Sequence, residues 1–326
     1  GDEGSRIFIG TTKGLNVFDR ARQSFEVFRN SSYPQSLSND TVRAILSDKN
    51  NMIWIGTNHG LNKFDWRART FKRYIHETNK HESFSDNVVT VVREQDANHI
   101  WVGTYRGGLN RFNKSTGAVE RFLHRSDKPR SLASNYVLDI LVDHSSTTWV
   151  TSDRGIGRIS ERALQFAFYS REDPSPKFIS AIAEDGQGGV WIGAWGVKRF
   201  HPQAVSMEKP GSTETLWSLT NAFVLALHAD KEGDLWIGTD RGLFRRRSNS
   251  SSFDALPFGL RINSMAEDNH GMLWIGAHPE GLFGFNKKTG RIDYETNRSE
   301  GDTAGIGAGG ITKLFVDRNN TLWIGT

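Results

Sequence analysis

Val42-Arg-Ala-Ile-Leu-Ser-Asp48-Lys-Asn-Asn-Met-Ile-Trp54-Ile-Gly-Thr57-Asn-His-Gly60-Leu-Asn-Lys-Phe64 is the stretch whose reading decides the fold. Val42, Ile45 and Leu46 mark a short apolar strand that ends at Asp48. Asp48-Lys49-Asn50-Asn51 is turn chemistry, because Asn and Asp tolerate the left-handed conformation and bond their own backbone. Met52 to Thr57 reads as a second strand, and Gly60 supplies the positive φ for the next turn. Leu61 to Asp65 is the third strand and Phe71 to Ile75 the fourth. Four antiparallel strands joined by hairpins make one propeller blade.

The same pattern recurs at Phe8, Trp54, Trp101, Trp149, Trp191, Trp236, Trp274 and Trp323, at intervals of 38 to 49 residues. A period in this range, with one Trp per cycle of short strands, predicts a β-propeller. An apolar residue stands six before an acid, and the acid six before the Trp. This holds for Val42/Asp48/Trp54, Val137/Asp143/Trp149, Ile179/Asp185/Trp191, Val224/Asp230/Trp236, Ile262/Asp268/Trp274 and Ile311/Asp317/Trp323. Repeat two departs, with Gln95 where the acid should be. Features that recur in every unit serve the unit, so the Trp is read as an inter-blade wedge and the Asp as a brace for its hairpin.

The predicted fold is all-β: a seven-bladed propeller of four-stranded antiparallel blades, occupying 1–326 as one domain. The expected blades are 41–76, 87–125, 136–171, 178–209, 223–256, 261–297, and 311–326 joined to 6–29. Segments 6–11, 15–19 and 25–29 supply strands two to four of a blade, and 311–316 supplies the missing first strand. Pairing the two would close the ring and remove its open edges. Residues 321–326 duplicate 6–11 and have no place in that blade. The chain starts and stops inside a repeat, so a piece of a longer multi-domain protein is expected.

With no Cys among 326 residues, disulfides, thiol nucleophiles and thiolate metal sites are excluded. The formal net charge of +4 is scattered, and the longest basic run is Arg245-Arg246-Arg247 on a predicted strand, which argues against a nucleic-acid footprint. No stretch reaches the about 18 apolar residues of a membrane span, so no direct insertion by this segment is expected.

In a propeller the turns between strands two and three, and the loops leading into strand one, open on one face. That face carries Tyr105, Arg106, Arg154, Trp195, Arg241 and His278 on the turns, and Asn39, Asn87, Asn135 and Asn221 on the lead-in loops. Such planar donors and aromatics suit a polyhydroxylated or anionic ligand. On the plainer reading, Asp-Arg-Gly is only a soluble hairpin turn. Trp195 stands out, because with Trp66 and Trp217 it lies off the repeat position. Trp66 is expected to pack on the outer blade, and Trp217 to cap the mouth or meet a partner. Asp40 and Asp86 are the conceivable catalytic carboxylates, yet no metal-ligand spacing, nucleophile elbow or P-loop is present, and no catalytic residue, metal or cofactor is expected.

The unit Val-x-x-Ile-x-x-Asp-x-x-x-x-Leu-Trp-Ile-Gly-Thr-x-x-Gly-Leu-Asn-x-Phe, nearly whole at Val42–Phe64 and Ile311–Thr326, resembles the two-component regulator propeller repeat. Leu15-Asn16-Val17-Phe18, Leu61-Asn62-Lys63-Phe64 and Leu109-Asn110-Arg111-Phe112 match its tail, while Thr151 and Phe244-Arg245-Arg246 depart from it. The resemblance implies a non-catalytic, extracytoplasmic, periplasmic sensor region of a bacterial membrane signalling protein. A downstream histidine kinase, hybrid kinase or diguanylate cyclase would lie in the same full-length protein. Small-molecule or oligosaccharide ligands and a homodimer are the partners it implies. The repeat itself fixes no ligand residue. A protein-docking platform and a propeller-fold lyase or glycosidase are the alternatives.

Overall fold

Short runs of β-branched and aromatic residues, broken every five or six positions by Asn, Asp or Gly, leave this chain no helical period. The computed structural model describes residues 6–19, 21–128, 130–143, 146–160, 165–169, 179–185, 189–200, 213–216, 222–250, 252–279, 281–297, 311–316 and 320–325, and no helix occurs among them. Eight antiparallel sheets follow one another in chain order, spanning 6–28, 42–74, 89–122, 137–169, 181–216, 224–255, 261–297 and 313–325, here sheets 1 to 8. Sheets 2 to 7 have four strands each, sheet 1 three and sheet 8 two. The chain divides into two compact units, Gly1–Glu172 with sheets 1–4 and Asp173–Thr326 with sheets 5–8.

Within each unit the repeated residues act across the junction between consecutive sheets. Trp54 of sheet 2 meets Phe112 of sheet 3 at 5.4 Å, and Trp236 of sheet 6 meets Phe285 of sheet 7 at 5.5 Å, both edge-on. Phe8 and Phe64 repeat the contact between sheets 1 and 2 at 6.2 Å. Where Arg246 replaces that Phe, its guanidinium lies 5.1 Å from the Trp191 ring of the preceding sheet. The wedge is therefore a pair: the Trp of one sheet and the tail aromatic, or its cationic substitute, of the next.

The Asp that precedes each Trp divides its two oxygens. In sheet 2, Asp48 Oδ1 accepts from the Asn50 and Met52 amides (both 2.9 Å), while Oδ2 accepts from Trp54 Nε1 at 3.0 Å. Asp143, Asp230 and Asp268 hold Trp149, Trp236 and Trp274 the same way at 2.9, 2.7 and 3.0 Å. The brace extends beyond the hairpin to the core indole.

The Gly two residues after Trp is set by close approach. A Cβ on Gly56 would stand 2.5 Å from Val89 Cγ1 on the first strand of sheet 3, and one on Gly103 would stand 2.6 Å from Val137 Cγ1 of sheet 4. Gly56→Ala is expected to destabilise by about 1–3 kcal/mol through overpacking of a dense junction. Urea unfolding midpoints would read this, and an unchanged midpoint would show that the junction yields.

A bulge falls after the first Val or Ile of the first strand in sheets 2, 3, 4, 6 and 7. In two of them the bulged residue reaches across to the following sheet: Thr90 Oγ1 donates to Val137 O at 2.7 Å and Asn263 Nδ2 to Ile311 O at 3.1 Å. An extra residue thus re-aims a side chain to satisfy a carbonyl that the ladder leaves unpaired.

The expected closure by strand pairing is corrected. The strand Lys313–Val316 pairs with Leu322–Gly325, and Arg6–Thr11 pairs only within its own three-stranded sheet. Among the described residues six sheets are four-stranded, and the segments assigned to the seventh blade form two separate sheets. The duplicate at 321–326 has the place that 6–11 was expected to take. It is tethered a few residues from its partner, so loop closure favours it over a segment about 300 residues away.

Candidate ligand-binding surface

Three of the turns adjoin the lead-in loops of the following sheets. The Gly14, Gly60 and Gly108 amides donate to the carbonyls of Asp40, Asn87 and Asn135, at 2.8, 2.6 and 2.8 Å, so each turn is clipped to the loop leading into the next sheet. The Asn side chains on these loops are themselves engaged with backbone amides. Asn39 Oδ1 accepts from Thr41 N at 2.9 Å, Asn87 Oδ1 from His76 N at 2.8 Å, and Asn135 Oδ1 from His124 N at 2.6 Å. Asp40 Oδ1 accepts from Asn30 N, and Asp86 from the Val88 and Arg106 amides. These acids are backbone caps, and no contact between Asp40 and Asp86 occurs among the described residues. Asn221 and Trp217 lie outside the described residues.

What projects from the first unit is an aromatic and basic set on sheets 3 and 4. Tyr105 is 38% exposed, meets Tyr136 edge-on at 4.6 Å, and carries the Arg106 guanidinium 5.2 Å from its ring centre. Arg154 is exposed at the tip of the next turn, its amide held by Ser152 Oγ at 3.2 Å. In the second unit Trp195 is 60% exposed and meets Phe223 edge-on at 5.2 Å. Phe223 is bound both ways to Asp240, whose neighbour Arg241 is exposed. His278 is exposed opposite Arg261 across the sheet 7 hairpin. The sequence places Tyr136 on its lead-in loop, but sequence reasoning missed Phe223 and Arg261; the place they share with Tyr136, one residue before the first apolar residue of strand one, is the signal that could have found them. Trp66 packs against the Phe8, Phe28 and Phe64 rings between sheets 1 and 2, with Arg6 4.6 Å from its ring.

The titratable groups inside the sheets are absorbed in structure. Lys114 of sheet 3 reaches Asp48 at 3.1 Å and Glu94 at 3.0 Å. At the equivalent position of sheet 7, Lys287 reaches Asp230 at 3.0 Å, Glu267 at 2.8 Å and Glu232. Burial opposes both ammonium groups, yet the carboxylates prevail and raise each pKa. The basic run is likewise absorbed: Arg245 pairs with Asp234 at 2.6 Å and Arg247 with Asp254 at 3.4 Å. Among the described residues no group of His, Cys, Asp and Glu is arranged to hold a metal ion.

His228 stands beside the Lys287 cluster, with Nε2 3.5 Å from Glu267 Oε2. Burial lowers its pKa, and Lys287 adds to this, against the opposing pull of Glu267 and Asp230. The unfolded chain therefore takes up this proton first as pH falls. Stability is expected to decline once pH drops below the ordinary histidine value, and His228→Gln should flatten that decline. Urea midpoints at pH 7.5, 6.5 and 5.5 decide it; parallel pH profiles for the two proteins would refute the assignment.

Three segments of the chain, residues 36–59, 173–196 and 218–241, match the family described as the two component regulator propeller. A 78-residue stretch is 31% identical to histidine kinase P4 of Formosa agariphila, covering 20% of this chain and 6% of that protein. The extracellular domain of a putative hybrid two component system from B. thetaiotaomicron aligns over 98% of this chain and 60% of its own, at 18% identity and TM-score 0.43. A catalytically inactive virginiamycin B lyase from Staphylococcus aureus aligns over 86% of this chain and 91% of its own, at 14% identity and TM-score 0.60. The chain thus spans a small part of that kinase and under two thirds of that extracellular domain.

Proposed function

Because three segments of the chain match the two component regulator propeller, we propose that it is the non-catalytic, ligand-sensing part of a bacterial two-component sensor. It works outside the cytoplasm, in the periplasm, and passes its signal to a histidine kinase or related output domain of the same full-length protein. The ligand is sugar-like or anionic and meets the face that bears the turns.

One contrast carries this reading. Polar groups that recur from repeat to repeat are consumed in holding sheets together, as Asp48, Asn62, Asn87 and Lys114 are. The exposed aromatic side chains on the turns do not recur: Tyr105, Trp195 and His278 each stand at a single turn, while Arg occupies one register position at 106, 154 and 241. Repeat-invariant positions build the scaffold, and variable exposed positions on its loops are where recognition is placed.

The test is a thermal-shift screen of the protein against neutral oligosaccharides, uronates and other small anions. The reading expects at least one class to raise the melting temperature by several degrees at saturation, through binding to the native state alone. Consumption of a stabilising sugar over hours would replace sensing with catalysis. No stabilisation by any class, together with specific capture of a periplasmic protein, would replace it with docking.

A further inference from the structure

We propose that Trp195 and Phe223 form the stacking floor of a subsite for an acidic sugar ring, with Arg241 as its anion-binding group. This rests on the ligand-sensing reading and adds a place and a chemistry to it.

Trp195 occupies the position four after the repeat Trp, and Phe223 the position one before the first apolar residue of the following sheet. The same two positions hold Tyr105 and Tyr136 at the junction of sheets 3 and 4, but Asn58 and Val88 at sheets 2 and 3, and Asp240 and Arg261 at sheets 6 and 7. An aromatic pair is therefore no requirement of blade packing. The two pairs also differ. Arg106 covers the Tyr105 ring, whereas no cation lies over Trp195 among the described residues.

Trp195 is displayed, not packed. Ala194 pairs directly with Gly196, so Trp195 stands alone at the tip of its turn, whereas two residues fill the corresponding turns at Thr57/Gly60 and Thr239/Gly242. A Cβ placed on Gly196 would meet nothing within 4 Å. The repeat tryptophans Trp54, Trp101, Trp149, Trp191 and Trp236 are all buried, in contrast to the 60% exposure of Trp195. Phe223 and the indole meet edge-to-face, and Trp195, 60% exposed, offers an apolar surface for the C–H side of a pyranose.

Charge is supplied from the adjoining turn. Phe223 N donates to Asp240 Oδ1 at 2.8 Å and Asp240 N to Phe223 O at 3.0 Å, which locks the floor to the turn that carries Arg241. Arg241 is exposed, its amide is fixed by Thr239 Oγ1 at 3.1 Å, and its guanidinium has no ion-pair partner among the described residues. A planar fork on the turn that is clipped to a stacking face fits a ring that bears a carboxylate.

The experiment titrates the protein with trigalacturonate and trimannuronate as acidic probes and maltotriose and cellotriose as neutral ones. Calorimetry and iodide quenching of Trp fluorescence are read together, the latter weighted towards exposed Trp195. The expected result is binding of an acidic probe at least tenfold tighter than of the neutral ones, weakened by salt, with protection of Trp195 from iodide. Trp195→Ala and Arg241→Ala should each weaken it at least tenfold without lowering the melting temperature, while Tyr33→Ala, at an equally exposed aromatic, leaves it unchanged. Binding that persists in Trp195→Ala, or that is lost in Tyr33→Ala instead, overturns this subsite but leaves ligand sensing standing. Equal binding of neutral probes with Arg241→Ala silent overturns the anionic assignment. Binding of neither class overturns both the subsite and a sugar ligand.

Discussion

Methionine in place of Lys287 lowers stability by about 3–5 kcal/mol, the range for breaking a buried pair by removing one partner. The Lys287 side chain is 7% exposed and serves three acids from two sheets: Asp230 and Glu232 of sheet 6, and Glu267 of sheet 7. Methionine matches the stem but leaves Asp230 and Glu267, themselves deeply buried, facing each other without a cation. The pH dependence should change with it. Burial would raise the Asp230 pKa, but its bonds to Trp236 and Lys287 overcome this and hold it below the ordinary carboxylate value. A depressed carboxyl contributes stability above its unfolded pKa, and that contribution is lost as pH falls through the folded one. In Lys287→Met the depression shrinks, so the deficit against the parent should be large at pH 7 and should narrow towards pH 3. Chemical unfolding at several pH values measures this, and a deficit that is constant with pH would exclude the ionic account.

Trp236→Ala is expected to cost about 3–5 kcal/mol, as for other large-to-small changes of a fully buried aromatic. The cavity would open between sheets 6 and 7, where Phe285 meets the ring and Arg245 lies 4.9 Å from its centre. Trp236→Phe separates volume from the hydrogen bond. It keeps most of the ring but removes the Nε1 donor that holds Asp230 at 2.7 Å, and a buried acceptor left unsatisfied costs about 1–3 kcal/mol. Trp101 is the internal control. Gln95 stands where the acid should be, and Trp101 Nε1 has no hydrogen-bond partner, so Trp101→Phe should cost less than Trp236→Phe. Equal losses in the two Phe variants would mean that the Asp bond contributes little. Because Asp230 serves both Lys287 and Trp236, the Lys287→Met/Trp236→Phe double variant should be non-additive.

The repeat register carried most of the fold into view before any coordinates. A Trp, an Asp six before it and a Gly two after it placed the strands within a residue or two. What it could not give was the reach of each part. Asp48 was legible as a turn cap, yet its bond to Trp54 joins strands folded back on each other. Lys114 and Lys287 show no motif, because their partners lie 20 and more residues away in sequence. The candidate face follows from the repeat topology, but which of its side chains are already engaged does not. The Asn of the lead-in loops have the same chemistry whether they cap a backbone amide or await a ligand, and only neighbours distinguish the two.

By itself the sequence determined the repeating sheet, since alternation, turn residues and the Trp–Gly register are local properties that each repeat satisfies within its own 38 to 49 residues. Tertiary structure alone decided which strand joins Lys313–Val316, which polar groups are already engaged, and that Trp195 is displayed while the repeat residues Trp54, Trp101, Trp149, Trp191 and Trp236 are enclosed. Those outcomes depend on competition between distant segments for one partner and on what packs beside a side chain, and neither quantity is written in the spacing of residues along a chain.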